Sequence, residues 1–172
     1  MGMKSTEVIK LIEEAFANVR LGNGIGLRQA QAIDDYQTNE TVQKSRELDE
    51  KNDWKKISPE TLDKCYSSLS FFDAEGMRFH IPAYMICDLK GLLNTADPVF
   101  YLWHGLDVKR MDSEEPGIEE ENVKWWIYAN DRFGILNTEQ RTAIQEFLKY
   151  KMEQGVYYKD EIERALENYW NR

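Results

Sequence analysis

Residues 83–93 carry only two charges, Asp88 and Lys90, among side chains that are otherwise apolar or small. Drawn as a helix, this stretch is apolar on every side. Such a helix belongs inside a fold, wrapped by the rest of the chain. It is also far too short to cross a bilayer, which takes about 20 apolar residues. No other run in the chain comes near that length. The segment therefore predicts the central helix of a globular fold, with Pro82 placed to open it at the first helical position.

The rest of the sequence supplies helices to wrap it. Ser5 can cap a first helix with Glu7 near its positive end, and Val8, Ile12, Ala15, Phe16 and Val19 share one face. Gly22-Asn23-Gly24 reads as its stop. Residues 27–36 form a second helix with a thin apolar side. Residues 37–53 are polar, with only Val42 and Leu48 as large aliphatics, so they cannot be deeply buried. Trp54 is the anchor that docks this stretch. Ser58-Pro59-Glu60 is a strong helix start, followed by Leu62, Cys65, Tyr66 and Leu69 at helical spacing up to a break at Gly76. Asn137 and Gln140 form a capping-box pattern ahead of Ile144, Phe147, Leu148 and Met152, and Gly155 ends that helix. Ile162, Ala165, Leu166, Tyr169 and Trp170 dock the last one.

Two aromatic segments, 99–104 and 125–128, follow the Asp97-Pro98 stop and are compatible with either strand or helix. Between them, residues 112–121 hold six acids with Pro116 and Gly117 and read as a solvated acidic loop. The expected fold class is mainly α: a single orthogonal helical domain over 1–172, with residues 1–4 a flexible lead and at most a small two-stranded β ribbon.

Charge narrows the partners. Thirty-one acidic and 22 basic residues give a net charge of −9. Nucleic acid phosphates and anionic membranes both repel such a chain, so neither is an expected partner, and a protein with a basic surface is. The oligomeric state is left open, since Trp103, Trp125 and Trp126 suit a dimer interface as well as a core. Cys65 and Cys87 sit among apolar neighbours and read as reduced core thiols. With no apolar leader at Met1-Gly2-Met3-Lys4, they predict a cytoplasmic protein. Gly2 with Thr6 matches a myristoylation pattern, but no second membrane signal accompanies it, and an extra dipeptide ahead of Met3 is the plainer reading.

Motifs for familiar chemistry are weak. The run Gly22-Asn23-Gly24-Ile25-Gly26 lacks the preceding strand and the third glycine of a dinucleotide loop, so a helix stop and turn explains it. The acids of 112–121 come in blocks, unlike the alternating ligands of a calcium loop. His80 and His104 have no partner at zinc-ligand spacing. No cofactor and no metal are expected. The candidate catalytic residues are Asp34, Asp35, Arg46, His80 and Tyr84. They supply a carboxylate base, an anion-holding guanidinium and groups for proton transfer, should the polar 34–54 segment fold over residues 80–84.

Several segments together resemble a known family. They are Gly26-Leu27-Arg28 through Ile33-Asp34-Asp35-Tyr36; Ser45-Arg46 with Asp49 and Asp53-Trp54; Glu75-Gly76-Met77-Arg78-Phe79-His80-Ile81-Pro82-Ala83-Tyr84-Met85; and Gln140, Phe147, Leu148 and Tyr150. The family is a set of small bacterial proteins classed only as a domain of unknown function. The likeness covers nearly the whole chain, with the acidic 112–121 stretch fitting less well. It implies a bacterial, cytoplasmic protein in which the 34–36, Arg46 and 79–84 strips belong together, and it brings no activity. Two functional readings follow: an acidic protein-binding module, accessory or immunity-like, and an enzyme of unrecognised type built on the carboxylate/Arg/His cluster.

Overall fold

The computed structural model describes residues 2–107 and 118–172. Among these residues there are nine α-helices and no strand. The helices are α1 (Ser5–Ala15), α2 (Leu27–Asp34), α3 (Asn39–Glu47), α4 (Pro59–Lys64), α5 (Ala74–Leu89), α6 (Pro98–Trp103), α7 (Ile118–Phe133), α8 (Thr138–Glu153) and α9 (Lys159–Ala165). The fold is mainly α, as the periodicity predicts. Contacts gather the chain into two compact units, Phe16–Pro98 and Met1–Ala15 with Val99–Arg172.

In the 16–98 unit, α5 carries most of the burial. Every residue from Phe79 to Cys87 is buried, and Phe79, His80, Ile81, Tyr84 and Met85 are fully so. The central position expected of residues 83–93 holds for 83–87 alone: the helix ends at Leu89, residues 90–92 are exposed, and the boundaries differ. The helix opens at Ala74, not at Pro82, because the Asp73 carboxylate caps it by accepting from the Gly76 amide at 2.8 Å. Gly76, expected to break the preceding helix, instead lies in the first turn of this one. Pro82 is interior. It has no amide for the Arg78 carbonyl, a defect that costs about 3 kcal/mol in an exposed helix. Here the apolar side chains on both sides of it are buried, and their burial offsets the defect.

The helix expected to run through Leu69 stops at Lys64 and resumes as a 3-10 segment, Tyr66–Ser70. Tyr84 from α5 covers the break. Its hydroxyl donates to the Cys65 carbonyl at 2.8 Å and the Leu62 carbonyl at 3.3 Å. The start of α4 is as read from sequence: Ser58 Oγ accepts from the Thr61 amide at 3.2 Å, with Pro59 in the first turn. Trp54 anchors its segment as expected, buried with Nε1 donating to the Phe16 carbonyl at 2.9 Å.

In the other unit, α1 packs on α8, and its Val8 and Ile12 are fully buried. Ser5 is not its cap. The Lys4 carbonyl takes the Glu7 and Val8 amides at 3.0 and 3.1 Å, so Lys4 holds that position. The helix also ends at Ala15, short of the glycines. Asn137 and Gln140 form the capping box at α8, with bonds of 2.9 and 3.2 Å. A π-helical turn, Leu166–Trp170, follows α9 and seats Trp170, whose Nε1 donates to the Leu102 carbonyl at 2.8 Å.

Both aromatic segments left open between strand and helix are helical, in α6 and α7. A β ribbon is thus absent from the described residues. The acidic loop expected at 112–121 lies outside them up to residue 117, and residues 118–121 open α7 rather than a loop.

Tyr84→Phe is expected to leave the Leu62 and Cys65 carbonyls without their hydroxyl and to cost about 1–2 kcal/mol. Urea unfolding should show a lowered midpoint at unchanged slope.

Candidate functional site

Of the strips that the family resemblance links, Arg46 and the start of the 79–84 strip meet at one junction within the 16–98 unit, built of hydrogen bonds to the main chain, and the 34–36 strip stays outside it. The junction begins at Gly26, the N-cap of α2. Glycine has no side chain to cap with; Gln29 Oε1 accepts the Gly26 amide at 3.0 Å, which leaves the first amides of α2 itself uncapped. The cap comes instead from just beyond α3. Asp49 Oδ1 accepts from the Arg28 amide at 2.8 Å, and Oδ2 from the Gln29 amide at 3.2 Å. A Cβ on residue 26 would collide with that carboxylate, which explains the glycine. Burial nonetheless pushes the Asp49 pKa up, against the lowering effect of those two amides and the nearby Arg28 charge.

Arg46, one turn earlier, holds the loop that leads into α2. Its Nη2 donates to the Gly22 carbonyl at 2.9 Å, and its Nη1 to the Gly24 carbonyl and to Gln29 Oε1, the latter at 3.2 Å. A planar fork with several fixed donors suits three acceptors spread in this way.

The same loop rests on the first turn of α5. Asp73 Oδ1, which caps α5, also accepts the Ile25 amide at 2.9 Å. The approach leaves no room for side chains. A Cβ on Gly24 would lie 2.6 Å from the Gly76 nitrogen, and a Cβ on Gly76 would lie 2.5 Å from the Ile25 oxygen. Glycine at 24 and 76 is thus a matter of contact between two backbones, not of local flexibility.

One turn further along α5 sits His80, with no exposed surface. Its Nδ1 is 2.7 Å from the Gly76 carbonyl. A carbonyl only accepts, so Nδ1 carries the proton and Nε2 keeps a bare lone pair. That Nε2 is buried without a hydrogen-bond partner among the described residues. The ring stacks on Phe72 at 4.4 Å and 2° and meets Phe79 edge-on at 4.9 Å. Burial pulls its pKa down to about 4, against the opposing effects of the Gly76 carbonyl and Asp73. The imidazole is neutral at pH 7.

Of the five predicted site residues, three engage main-chain carbonyls in different places: Arg46 at 22 and 24, His80 at 76, Tyr84 at 62 and 65. Asp35 is exposed at the C-cap of α2 and accepts from Gln31 Nε2 at 3.0 Å, while Asp34 is half-buried in the last turn of that helix. Arg46 and His80 are linked through the 22–26 loop, and Asp34 and Asp35 lie at the far end of α2 from that link. Asp73 and Gln29 are residues that sequence reasoning passed over, and Asp49, quoted there beside Arg46, was given no role. Asp73 was legible, since an aspartate three residues before the Gly76 amide is a cap spacing. Asp49 was not, because it caps a helix that begins more than twenty residues earlier. No group of three His, Cys, Asp or Glu able to hold a metal ion occurs among the described residues.

These features define an all-helical protein whose most distinctive polar residues bind its own backbone. The chain belongs to a family of unknown function (DUF6714), whose model matches residues 4–172. Comparison with curated proteins and with solved structures gives no match.

Two predictions follow from the junction. Arg46→Lys keeps the charge but loses the fork, so it is expected to lose most of what Arg46→Ala loses, on the order of 1–3 kcal/mol. Chemical denaturation of both variants checks this. His80 gives a pH signature. Its pKa is lower folded (about 4) than unfolded (6.5), so the unfolded chain binds the extra proton between those values. Its contribution is fully present above pH 6.5 and is lost as pH falls toward 4, by ~3 kcal/mol in total. His80→Phe should flatten that part of the stability profile.

Proposed function

We propose that the chain is an acidic protein-binding module, an accessory or immunity-like factor of the bacterial cytoplasm, that recognises a protein with a basic surface. The observation that carries this reading is the commitment of Arg46, His80 and Tyr84 to main-chain carbonyls. An arginine holding two carbonyls of the 22–26 loop and the Gln29 side chain is poorly placed to hold a substrate anion as well. A base with no exposed surface cannot touch a substrate. The Glu75-to-Met85 segment then serves as the family's folding signature. The net charge of −9 supports a basic partner. The cytoplasmic assignment draws on the resemblance and on the reduced thiols Cys65 and Cys87. Among the described residues, no helix is long and apolar enough to cross a membrane.

The immobilised chain should capture a protein at low salt and release it as ionic strength rises. Failure to retain any specific protein at either salt would overturn the reading. The enzyme alternative, on Asp34 or Asp35 with Arg46, His80 and Tyr84, makes a different prediction. A metabolite would raise the melting temperature of the wild type and not of His80→Gln.

A further inference from the structure

Three helices place one residue in the left-handed region two positions beyond their last turn. After α5 it is Gly91, with φ 66°, and after α8 it is Gly155, with φ 76°. After α2 it is Tyr36, with φ 53°. The closing hydrogen bonds of α5 and α2 match. The Gly91 and Leu92 amides donate to the Asp88 and Cys87 carbonyls, each at 2.9 Å. The Tyr36 and Gln37 amides donate to the Ile33 and Ala32 carbonyls at 3.1 and 3.0 Å. A Cβ is disfavoured at this position, and glycine is its usual occupant. Among the described residues, Tyr36 is the one with positive φ that is not glycine.

Packing does not repay the tyrosine. Its side chain is 96% exposed, with no hydrogen bond, ring contact or cation–π pair among the described residues. The position thus gives up conformational stability and returns no contact within its unit. A residue held against local preference in this way points to contact outside the chain.

The charges around the turn say which contact. Asp34 and Asp35 precede Tyr36, and neither forms an ion pair. The nearest cations are engaged elsewhere or stand apart. Lys44 lies on Glu40 at 2.6 Å, and Arg46 holds the 22–26 loop. Arg28 sits at the opposite end of α2, where its charge acts on Asp49. Lys64, at the end of α4, acts on the Cys65 thiol as Asp35 does, and offsets one of the two aspartates. The turn is left with a free aromatic ring beside uncompensated negative charge. A guanidinium can lie flat on such a ring while donating to the adjacent carboxylate, which no neutral or acidic side chain can do. A second copy of this turn would bring the same two aspartates, with like charge.

Resting on the protein-binding reading above, we infer that the Asp34–Tyr36 turn docks an arginine-bearing segment of a partner protein, with the guanidinium stacked on Tyr36. Calorimetry with an arginine-rich peptide tests it, against a matched peptide with glutamine for each arginine. The arginine peptide should bind about tenfold tighter than the glutamine one. Tyr36→Gly should weaken that binding several-fold and raise the urea midpoint, because glycine suits the turn. Tyr36→Phe keeps the ring and should bind as the wild type does, whereas Asp35→Asn should weaken binding several-fold. Equal binding of the two peptides, or none, overturns the arginine occupant. Binding undiminished by Tyr36→Gly overturns the turn as the site. A lowered urea midpoint in Tyr36→Gly assigns the tyrosine to the fold and overturns the inference as well. A concentration-dependent dimer abolished by Tyr36→Gly gives the turn to a second copy, with the same consequence. The capture experiment is read separately: a specific partner held equally by wild type and Tyr36→Gly keeps the module and removes this turn.

Discussion

Between Gly24 and Gly76 two backbones meet with no space for a methyl group, and the 16–98 unit is organised around that contact. Close approach of this kind desolvates amides and carbonyls, and each desolvated group needs a partner. Asp73 supplies one by taking the Ile25 amide and the Gly76 amide on a single oxygen. Arg46 supplies another by holding the Gly22 and Gly24 carbonyls. Asp49 completes the set at the start of α2. The polar residues of this region are therefore tied to the geometry of one loop on one helix.

His80 extends the same logic into the core. A neutral imidazole donating to the Gly76 carbonyl and stacked on Phe72 fills an apolar space while satisfying one polar atom. Its other nitrogen has no partner among the described residues, a local cost that the surrounding packing must outweigh. Arg46 and His80, which look in sequence like parts of a reactive constellation, thus serve the joint instead.

Where sequence reading succeeded, the signal was local. Ser58 and Asn137 were legible as caps because a cap bonds to an amide three residues away. The buried run of α5 was legible because apolar side chains around a whole helix admit only an interior position. Where it fell short, the deciding partner was remote or the local signals competed. Pro82 reads as a helix start in isolation, yet Asp73 begins the helix earlier and burial carries it through the proline. The 99–104 and 125–128 segments suit strand and helix alike, and packing made them helices.

The sequence by itself determined the helical class, the strongest caps, the central segment and the acidic balance, since each depends on residue type and short-range spacing. Only the tertiary structure decided that residues 22–26, 46–49 and 73–80 form one joint and that His80 is sealed within it. Those outcomes depend on backbones far apart in the chain coming close enough to exclude a Cβ, and no local pattern records that distance.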